Sequence, residues 1–280
     1  MSGVKGKVAV VTGATGVLCS SFAKELARKG AKVAVLGRNK AKADEIVADI
    51  TRSGGIALAV ICDVLDKASV VNAAAAIEKA LGPCDILING AGGNHPGATT
   101  AMEIMKTEDL ASTDPASKTF FDLTLEGFDS VFRLNLMGTL IPCQVFAKQM
   151  AGRPGGTFLN ISSMSAFNPL TKVAAYSAAK AAVNNFTQWL AVHFADVGIR
   201  VNAMAPGFFL TEQNRNLLTN PDGSLTPRAQ KVISHTPMRR FGEPQDLLGT
   251  MFWLIDDSAS GFVTGIVVPV DGGFMAYSGV

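Results

Sequence analysis

Short, continuous apolar runs alternate with longer stretches of helical periodicity along this chain. The apolar runs lie at 8–11, 32–36, 56–61, 85–89, 156–162, 199–204 and 266–270. Strands that are apolar on both faces are typical of a parallel sheet covered by helices on both sides. Helical patterns occupy 39–52, 66–80 and 125–150, and another ends at about 197. The alternation predicts an α/β protein: one doubly wound Rossmann domain over 1–280 with about seven parallel strands.

Composition narrows the classes of function. Hydrophobic residues make up 48% of the 280 residues, the net charge is +2, and the basic residues are scattered. No basic tract indicates nucleic acid, no apolar stretch reaches the ~18 residues that cross a bilayer, and the N-terminus lacks a signal-like apolar segment. We therefore expect a cytoplasmic protein with no nucleic-acid or membrane partner.

The four cysteines have no C-x-x-C spacing, so we expect small buried thiols and no metal site. They are Cys19, Cys62, Cys84 and Cys143.

The first strand-to-helix turn, Thr12-Gly13-Ala14-Thr15-Gly16, is built from small residues. Small residues let the backbone approach a pyrophosphate, and the following helix N-terminus favours negative charge. Glycine also simply makes turns. The position of this turn, at the first strand of an α/β chain, nevertheless favours a dinucleotide site.

Tyr176 and Lys180 are four residues apart, so on a helix they lie on the same face. Ser163 lies thirteen residues before Tyr176, at the end of an apolar run. A nearby ammonium favours a phenolate and lowers the pKa of tyrosine from about 10. Such a phenol can exchange a proton with an alcohol or carbonyl oxygen. A tyrosine and a lysine at this spacing also occur on helices by accident.

Together these motifs resemble those of the short-chain dehydrogenase/reductase family over essentially all 280 residues. The matching positions are 12–19, Asn89-Gly90-Ala91-Gly92, Asn135, Ser163, Tyr176, Lys180 and 206–211.

The resemblance implies a role for each of four catalytic residues. Tyr176 would be the general acid/base, and Lys180 would lower its pKa and bind the nicotinamide ribose. Ser163 would orient the substrate oxygen. Asn135 would hold a water that connects Lys180 to solvent; alternatively, it satisfies backbone groups at a helix kink.

The same resemblance implies a set of residues that bind a nicotinamide cofactor. They are Gly13, Thr15, Gly16, Val17, Leu18, Arg38, Asp63, Val64, Asn89, Ala91, Gly92, Tyr176, Lys180, Pro206, Gly207, Phe209 and Thr211. The chain departs from the family pattern in one turn, where Val17 and Cys19 replace glycines. The turn must differ locally, and Cys19 must pack where the family has no side chain.

The choice between NAD and NADP depends on the end of the second strand. NAD-binding folds usually place an acid there, but this chain has Gly37 followed by Arg38. A guanidinium suits a 2′-phosphate, which favours NADP, although Arg38 can also be a solvated loop residue. Asp63 would bond the adenine or serve as a helix N-cap.

The segment between Asn89 and Asn135 is about twice the length that the family resemblance implies. These residues are 46 positions apart, and the extra part, 93–122, is polar and irregular. Loops of this length in a compact domain are usually functional or disordered. We expect a substrate-side insertion at the strand ends where α/β sheets bind ligands.

Several segments further resemble bacterial D-mannonate oxidoreductases (fructuronate reductases) of the short-chain type. They are 92–96, 160–167, 187–194, 206–214 and 271–280. The resemblance implies interconversion of D-fructuronate and D-mannonate with NAD, so both NADP and NAD stay open. It also implies a homotetramer whose apolar tail packs on a neighbouring subunit; the alternative is a tail packed on its own core.

Residues on segments that should border the substrate form a further candidate set. They are Asn94, His95, Ser163, Met164, Lys172, Tyr176, Asn214 and Arg215. Lys172 or Arg215 can hold a sugar-acid carboxylate. Alternatively most are surface residues, and His95 only caps its loop. Two other functions stay open: a reductase of polyols or gluconate-like acids, and a non-catalytic dinucleotide-binding sensor.

Overall fold

The sheet of this protein is parallel throughout. The computed structural model describes residues 3–114, 116–210 and 218–279. The seven strands follow the spatial order β3-β2-β1-β4-β5-β6-β7. They are β1 (Val8–Thr12), β2 (Lys32–Gly37), β3 (Ile56–Ile61), β4 (Ile86–Asn89), β5 (Gly156–Ile161), β6 (Ile199–Pro206) and β7 (Val267–Val270). This confirms the prediction of a doubly wound fold with seven parallel strands.

Helices cover both faces of the sheet. Those that lie wholly within the described residues are α1 (Val17–Arg28), α2 (Lys40–Arg52), α3 (Lys67–Leu81), α4 (Leu125–Phe132), α5 (Gly138–Met150), α6 (Ala174–His193), α7 (Pro227–Ser234), α8 (Pro244–Ile255) and α9 (Asp257–Ser260). One core cluster joins the sheet to α1, α2 and α8. A second cluster joins the opposite face to α3, α5 and α6. Burial on both faces explains why the strands read as unbroken apolar runs.

The strand order reverses next to β1, and this reversal creates the crevice in which such sheets bind ligands. Thr12 at the end of β1 pairs with Asn89 at the end of β4. Asn89 in turn pairs with Asn160, near the end of β5. The register therefore brings the segments that follow β1, β4 and β5 to one edge of the sheet.

The predicted helix over 125–150 is interrupted. A π-helical turn, Arg133–Met137, separates α4 from α5. The Asn135 side chain donates from Nδ2 to the Val131 carbonyl oxygen at 2.8 Å, so a side-chain amide satisfies a carbonyl at the irregular turn. Helix α6 likewise ends at His193 rather than at about 197, and a short 3₁₀ turn, Ala195–Val197, follows it.

The 93–122 insertion contains no α-helix or strand among its described residues, only 3₁₀ turns at Pro96–Ala98, Thr107–Ala111 and Phe120–Asp122. Backbone hydrogen bonds attach it to the domain: Thr100 N donates to the Lys172 carbonyl at 3.0 Å. No helix in the described ranges is long and apolar enough to span a membrane.

Candidate functional site

A cleft of about 690 Å³ opens at the carboxyl ends of β1, β2 and β4. Ten of the predicted cofactor residues line it: Gly13, Thr15, Gly16, Val17, Leu18, Arg38, Asp63, Val64, Ala91 and Gly92. The lining does not include Asn89, Tyr176, Lys180, Pro206, Gly207 or Phe209. Thr211 lies outside the described residues. The strand ends thus bring together segments that are far apart in the sequence.

Sequence reasoning missed two polar residues of this cleft, Asn39 and Lys42. The Asn39 side chain caps α2 by accepting from Lys42 N at 3.1 Å. Asparagine at the start of the second helical pattern was a signal for this cap, which places Lys42 in the first turn of α2.

The cleft leaves little or no room for a side chain at Gly13 and Gly16. Gly13 has φ of 64°, and a Cβ there would lie 2.8 Å from the Ala91 backbone. A Cβ on Gly16 would lie 3.3 Å from the Gly13 carbonyl oxygen. Together with the N-terminus of α1, this close backbone cradle fits a pyrophosphate.

Cys19 packs in the space left by a glycine on the neighbouring loop. The thiol is buried at 5% exposure, and a Cβ on Gly90 would overlap Cys19 Sγ. Burial raises the pKa of Cys19 to about 12, so the thiol is neutral. Cys19 replaces a glycine of the family pattern, and the structure accommodates its thiol because position 90 has no side chain. All four cysteines are free and buried.

Ser163, Tyr176 and Lys180 meet beyond the end of β5. Helix α6 places Tyr176 and Lys180 one turn apart, with Lys180 Nζ 5.7 Å from the centre of the Tyr176 ring. The Ser163 hydroxyl lies close enough to the Tyr176 phenol to act on the pKa of the phenol. Ser163 Oγ also accepts from Ser165 N at 3.2 Å, which holds the serine in place.

The electrostatics of this group differ from the sequence prediction. Burial raises the pKa of the Tyr176 phenol above its ordinary value, and only the neighbouring Ser163 hydroxyl acts in the opposite direction. Burial also lowers the pKa of Lys180 to about 8. The net shift of the tyrosine pKa is therefore opposite to the one expected from Lys180, because desolvation of the phenol dominates in this structure; the role of Lys180 stays a prediction.

Gly92 lies between Asn135 and Lys180. A Cβ on Gly92 would lie 2.7 Å from Asn135 Oδ1 and 3.2 Å from Lys180 Nζ. Lys180 Nζ donates to the Ile161 carbonyl at 2.7 Å. Asn135 Nδ2 donates to the Gly93 carbonyl in the loop after β4 and to the Val131 carbonyl at the irregular turn, both at 2.8 Å, so its amide does satisfy a backbone group at the kink.

Hydrogen bonds define the environment of two further side chains at the strand ends, Asp63 and Asn89. Asp63 Oδ1 accepts from Leu65 N at 2.9 Å, whereas the N-cap of α3 is Asp66. The N-cap alternative for Asp63 was therefore wrong. The Asn89 side chain points into the core, where Nδ2 donates to Asn160 Oδ1 at 2.9 Å.

Residues of the predicted substrate set occupy different environments. Met164 is buried, while Asn94 and His95 are exposed. His95 Nδ1 accepts from Gly97 N at 2.9 Å, so the imidazole does cap its loop. Lys172 is half-buried and has φ of 73°. Asn214 and Arg215 lie outside the described residues.

The apolar tail makes contacts with its own chain. The Phe274 ring lies 5.2 Å from the Phe208 ring, centre to centre. Asn168 Nδ2 donates to the Met275 carbonyl at 3.4 Å. The tail thus packs beside the segment that follows β6 and near the loop that follows Ser163.

Comparison with known proteins identifies the class. The family model described as short chain dehydrogenase matches residues 7–222. The chain belongs to this family of oxidoreductases, whose members act on CH-OH groups and whose fold binds NAD(P). The same family carries the Rossmann-like architecture found here.

Individual relatives are similar over nearly the whole chain. The uncharacterized oxidoreductase UxuB of Bacillus subtilis is 56% identical, covering 98% of this chain and 97% of the relative. A crystal structure from Haemophilus influenza with bound NAD, provisionally named a D-mannonate oxidoreductase, is 51% identical, with a TM-score of 0.94 and coverage of 99% and 98%. The 2-dehydro-3-deoxy-D-gluconate 5-dehydrogenase of Formosa agariphila is 34% identical, with coverage of 99% and 95%.

Proposed function

We propose that this protein interconverts a ketone and a secondary alcohol on a sugar acid, D-fructuronate and D-mannonate, with NADP or NAD. The observation that carries the proposal is the grouping of Ser163 next to Tyr176, with Lys180 one turn away, beside a dinucleotide-sized cleft. The 51% identical structure that holds NAD supports the choice of reaction.

The nicotinamide ring supplies or accepts the hydride when the cofactor is bound. The protein's own residues supply the proton and hold the substrate oxygen. Because burial raises the pKa of Tyr176, the phenol is protonated at neutral pH and can donate to a carbonyl oxygen. Ser163 holds that oxygen by a hydrogen bond.

Lys180 acts on the cofactor side of the phenol. It is buried, and its pKa of about 8 keeps most of the ammonium protonated at pH 7. A cation at this position stabilises negative charge on the tyrosine oxygen after proton transfer. Asn135 fixes the Gly92–Gly93 backbone next to the ammonium, which positions Lys180 rather than contacting substrate.

The polar loop 93–122 supports a hydroxylated, charged substrate. Because His95 Nδ1 accepts a hydrogen bond, a neutral His95 carries its proton on Nε2, which can donate to a sugar hydroxyl. Lys172 adopts a left-handed backbone that is costly for lysine, by about 1 kcal/mol or more. Lys172 lies between Ser163 and Tyr176 in the sequence. A strained backbone at this cationic residue supports a role for Lys172 in holding the substrate carboxylate.

Gluconate-like acids are the second candidate substrates. The Formosa agariphila relative acts on a gluconate derivative, and its identity to this chain is 34%. Such a substrate has a carboxylate and several hydroxyls, so the same polar groups would bind it. Polyols lack the carboxylate and would leave Lys172 without a partner.

The decisive experiment follows absorbance of the reduced nicotinamide with D-fructuronate, separately with NADH and NADPH. Oxidation of either cofactor is expected, and Tyr176→Phe should remove turnover while cofactor binding persists. Full activity of Tyr176→Phe would refute the mechanism. Oxidation with gluconate-type substrates alone would refute the D-mannonate assignment, and binding without any turnover would favour a sensor.

We also propose a homotetramer. Large apolar side chains are exposed on α4 and α6: Leu125 at 85%, Trp189 at 56% and Val192 at 82%. Exposed apolar patches of this kind mark protein interfaces. Sedimentation equilibrium should give four times the mass of 29.2 kDa. A monomer at micromolar concentration would refute the assembly.

A further inference from the structure

The space beside Gly37 is already taken by another side chain. A Cβ built on Gly37 would lie 2.7 Å from Thr15 Cγ2 and 2.8 Å from Thr15 Oγ1. Gly37 does not have a positive φ, so backbone conformation does not require glycine there. Steric exclusion by Thr15 is the reason that the structure offers for glycine at the position where NAD-binding folds usually carry an acid.

Hydrogen bonds hold both backbones in this arrangement. Ala14 N, next to Thr15, donates to the Leu36 carbonyl at 3.0 Å. On the other side, Cys62 N donates to the Gly37 carbonyl at 3.1 Å. Neither segment can retreat without breaking one of these bonds, so a side chain at 37 must displace the threonine.

The Thr15 hydroxyl is available to a ligand. Thr15 and Gly37 both line the cleft, and Thr15 Oγ1 has no hydrogen-bond partner within the described ranges. A hydroxyl both donates and accepts. Two cationic side chains, Arg38 and Lys42, line the same end of the cleft.

We propose that Thr15 binds the 2′ position of the adenosine ribose in place of an acid at 37, and that Thr15 and Gly37 form one coupled determinant of cofactor choice. The hydroxyl can accept from a ribose hydroxyl or donate to a 2′-phosphate, so it accommodates NAD and NADP alike. Arg38 and Lys42 add attraction for the phosphate. The inference rests on the dinucleotide-binding part of the proposed function.

The first test measures the dissociation constants of NADH and NADPH by fluorescence titration, without any sugar acid. Thr15→Val keeps the shape of the side chain but removes the hydroxyl, and should weaken both cofactors by about three- to tenfold. Thr15→Ser keeps the hydroxyl and should stay within about twofold of wild type. Wild-type affinity for both cofactors in Thr15→Val would overturn the proposal.

The second test examines the steric coupling without cofactor. Gly37→Ala should lower Tm, and Thr15→Ala should restore most of that loss in the double variant. Gly249→Ala is the control, since a Cβ there meets nothing within 4 Å. Additive Tm changes in the double variant would overturn the coupling.

A third test asks whether the coupling between positions 15 and 37 decides which cofactor binds more tightly. Gly37→Asp alone should weaken both cofactors, whereas Thr15→Ala with Gly37→Asp should favour NADH over NADPH by about tenfold or more. An equal preference in the single and double variants would overturn the proposal. Wild-type protein that binds neither cofactor would overturn the proposed function as well, whereas binding without turnover would overturn only the proposed reaction.

Discussion

Substitution of Gly90 by alanine tests how this chain accommodates Cys19 under the cofactor loop. A Cβ at position 90 would overlap Cys19 Sγ and would lie 3.0 Å from the Thr12 carbonyl oxygen. Real Cβ atoms essentially never approach other heavy atoms more closely than 3.0 Å. One of the two segments must therefore move.

The expected loss of stability in Gly90→Ala follows from how little space surrounds the Cys19 thiol. Cys19 is 5% exposed, so Sγ cannot turn into solvent. Overpacking of a tight core costs about 1–3 kcal/mol, and the enclosed thiol places Gly90→Ala near the upper end. For a domain of this size the loss corresponds to a Tm lowered by roughly 4–12 °C.

The assay is a double-mutant cycle on thermal unfolding followed by circular dichroism. Cys19→Ala removes Sγ but leaves a Cβ at 3.6 Å from the new methyl group, which is an ordinary contact. The double variant should therefore be more stable than Gly90→Ala alone, even though Cys19→Ala by itself costs about 1 kcal/mol.

The matched control replaces a thiol that does not touch this loop. Cys84 is fully buried elsewhere in the core, so Cys84→Ala combined with Gly90→Ala should give additive losses. If Cys19→Ala rescues Gly90→Ala no better than Cys84→Ala does, the thiol is not the obstacle and the explanation of the Cys19–Gly90 pair is wrong.

Three further predictions concern activity. Gly92→Ala places a Cβ 2.7 Å from Asn135 Oδ1 and 3.2 Å from Lys180 Nζ, and should lower kcat/KM by about 10- to 100-fold in steady-state assays; an unchanged value would show that this backbone does not position the lysine. Because the pKa of Lys180 is about 8, the ammonium is lost as pH rises through that value, so kcat/KM for reduction should fall above about pH 8. A profile that stays flat to pH 9 would contradict the role of the cation. His95→Asn keeps an acceptor for Gly97 N but removes the Nε2 donor, so it should raise KM for the sugar acid about tenfold, as His95→Ala should, with the cofactor KM unchanged. If His95→Asn has the wild-type KM for the sugar acid, the imidazole only caps its loop and does not bind substrate.

The sequence pattern was sufficient for the architecture and for much of the cofactor cleft. Runs apolar on both faces predict buried parallel strands, because only a sheet covered by helices removes both faces from water. Once the strands are parallel, the turns that follow β1, β2 and β4 must meet at one edge. Gly13, Arg38 and Ala91 therefore line one cleft although the sequence separates them widely.

The alternatives for single side chains needed the tertiary structure. Asn135 and His95 each had two interpretations; the structure shows that both side chains form hydrogen bonds with backbone groups, and their functional roles stay predictions. Asp63 does not cap α3, since Asp66 does. Choices of this kind depend on where a side chain points, which residue order does not specify.

By itself, the sequence determined the strand-and-helix alternation, the order of the motifs and the chemical types of residue at the site. Only the tertiary structure decided the sign of the Tyr176 pKa shift and the pairing of Thr15 with Gly37 and of Cys19 with Gly90. The physical reason is the same in each case. Periodicity is a local property of the chain, whereas desolvation and steric exclusion depend on distances of a few ångströms between residues that are distant in sequence.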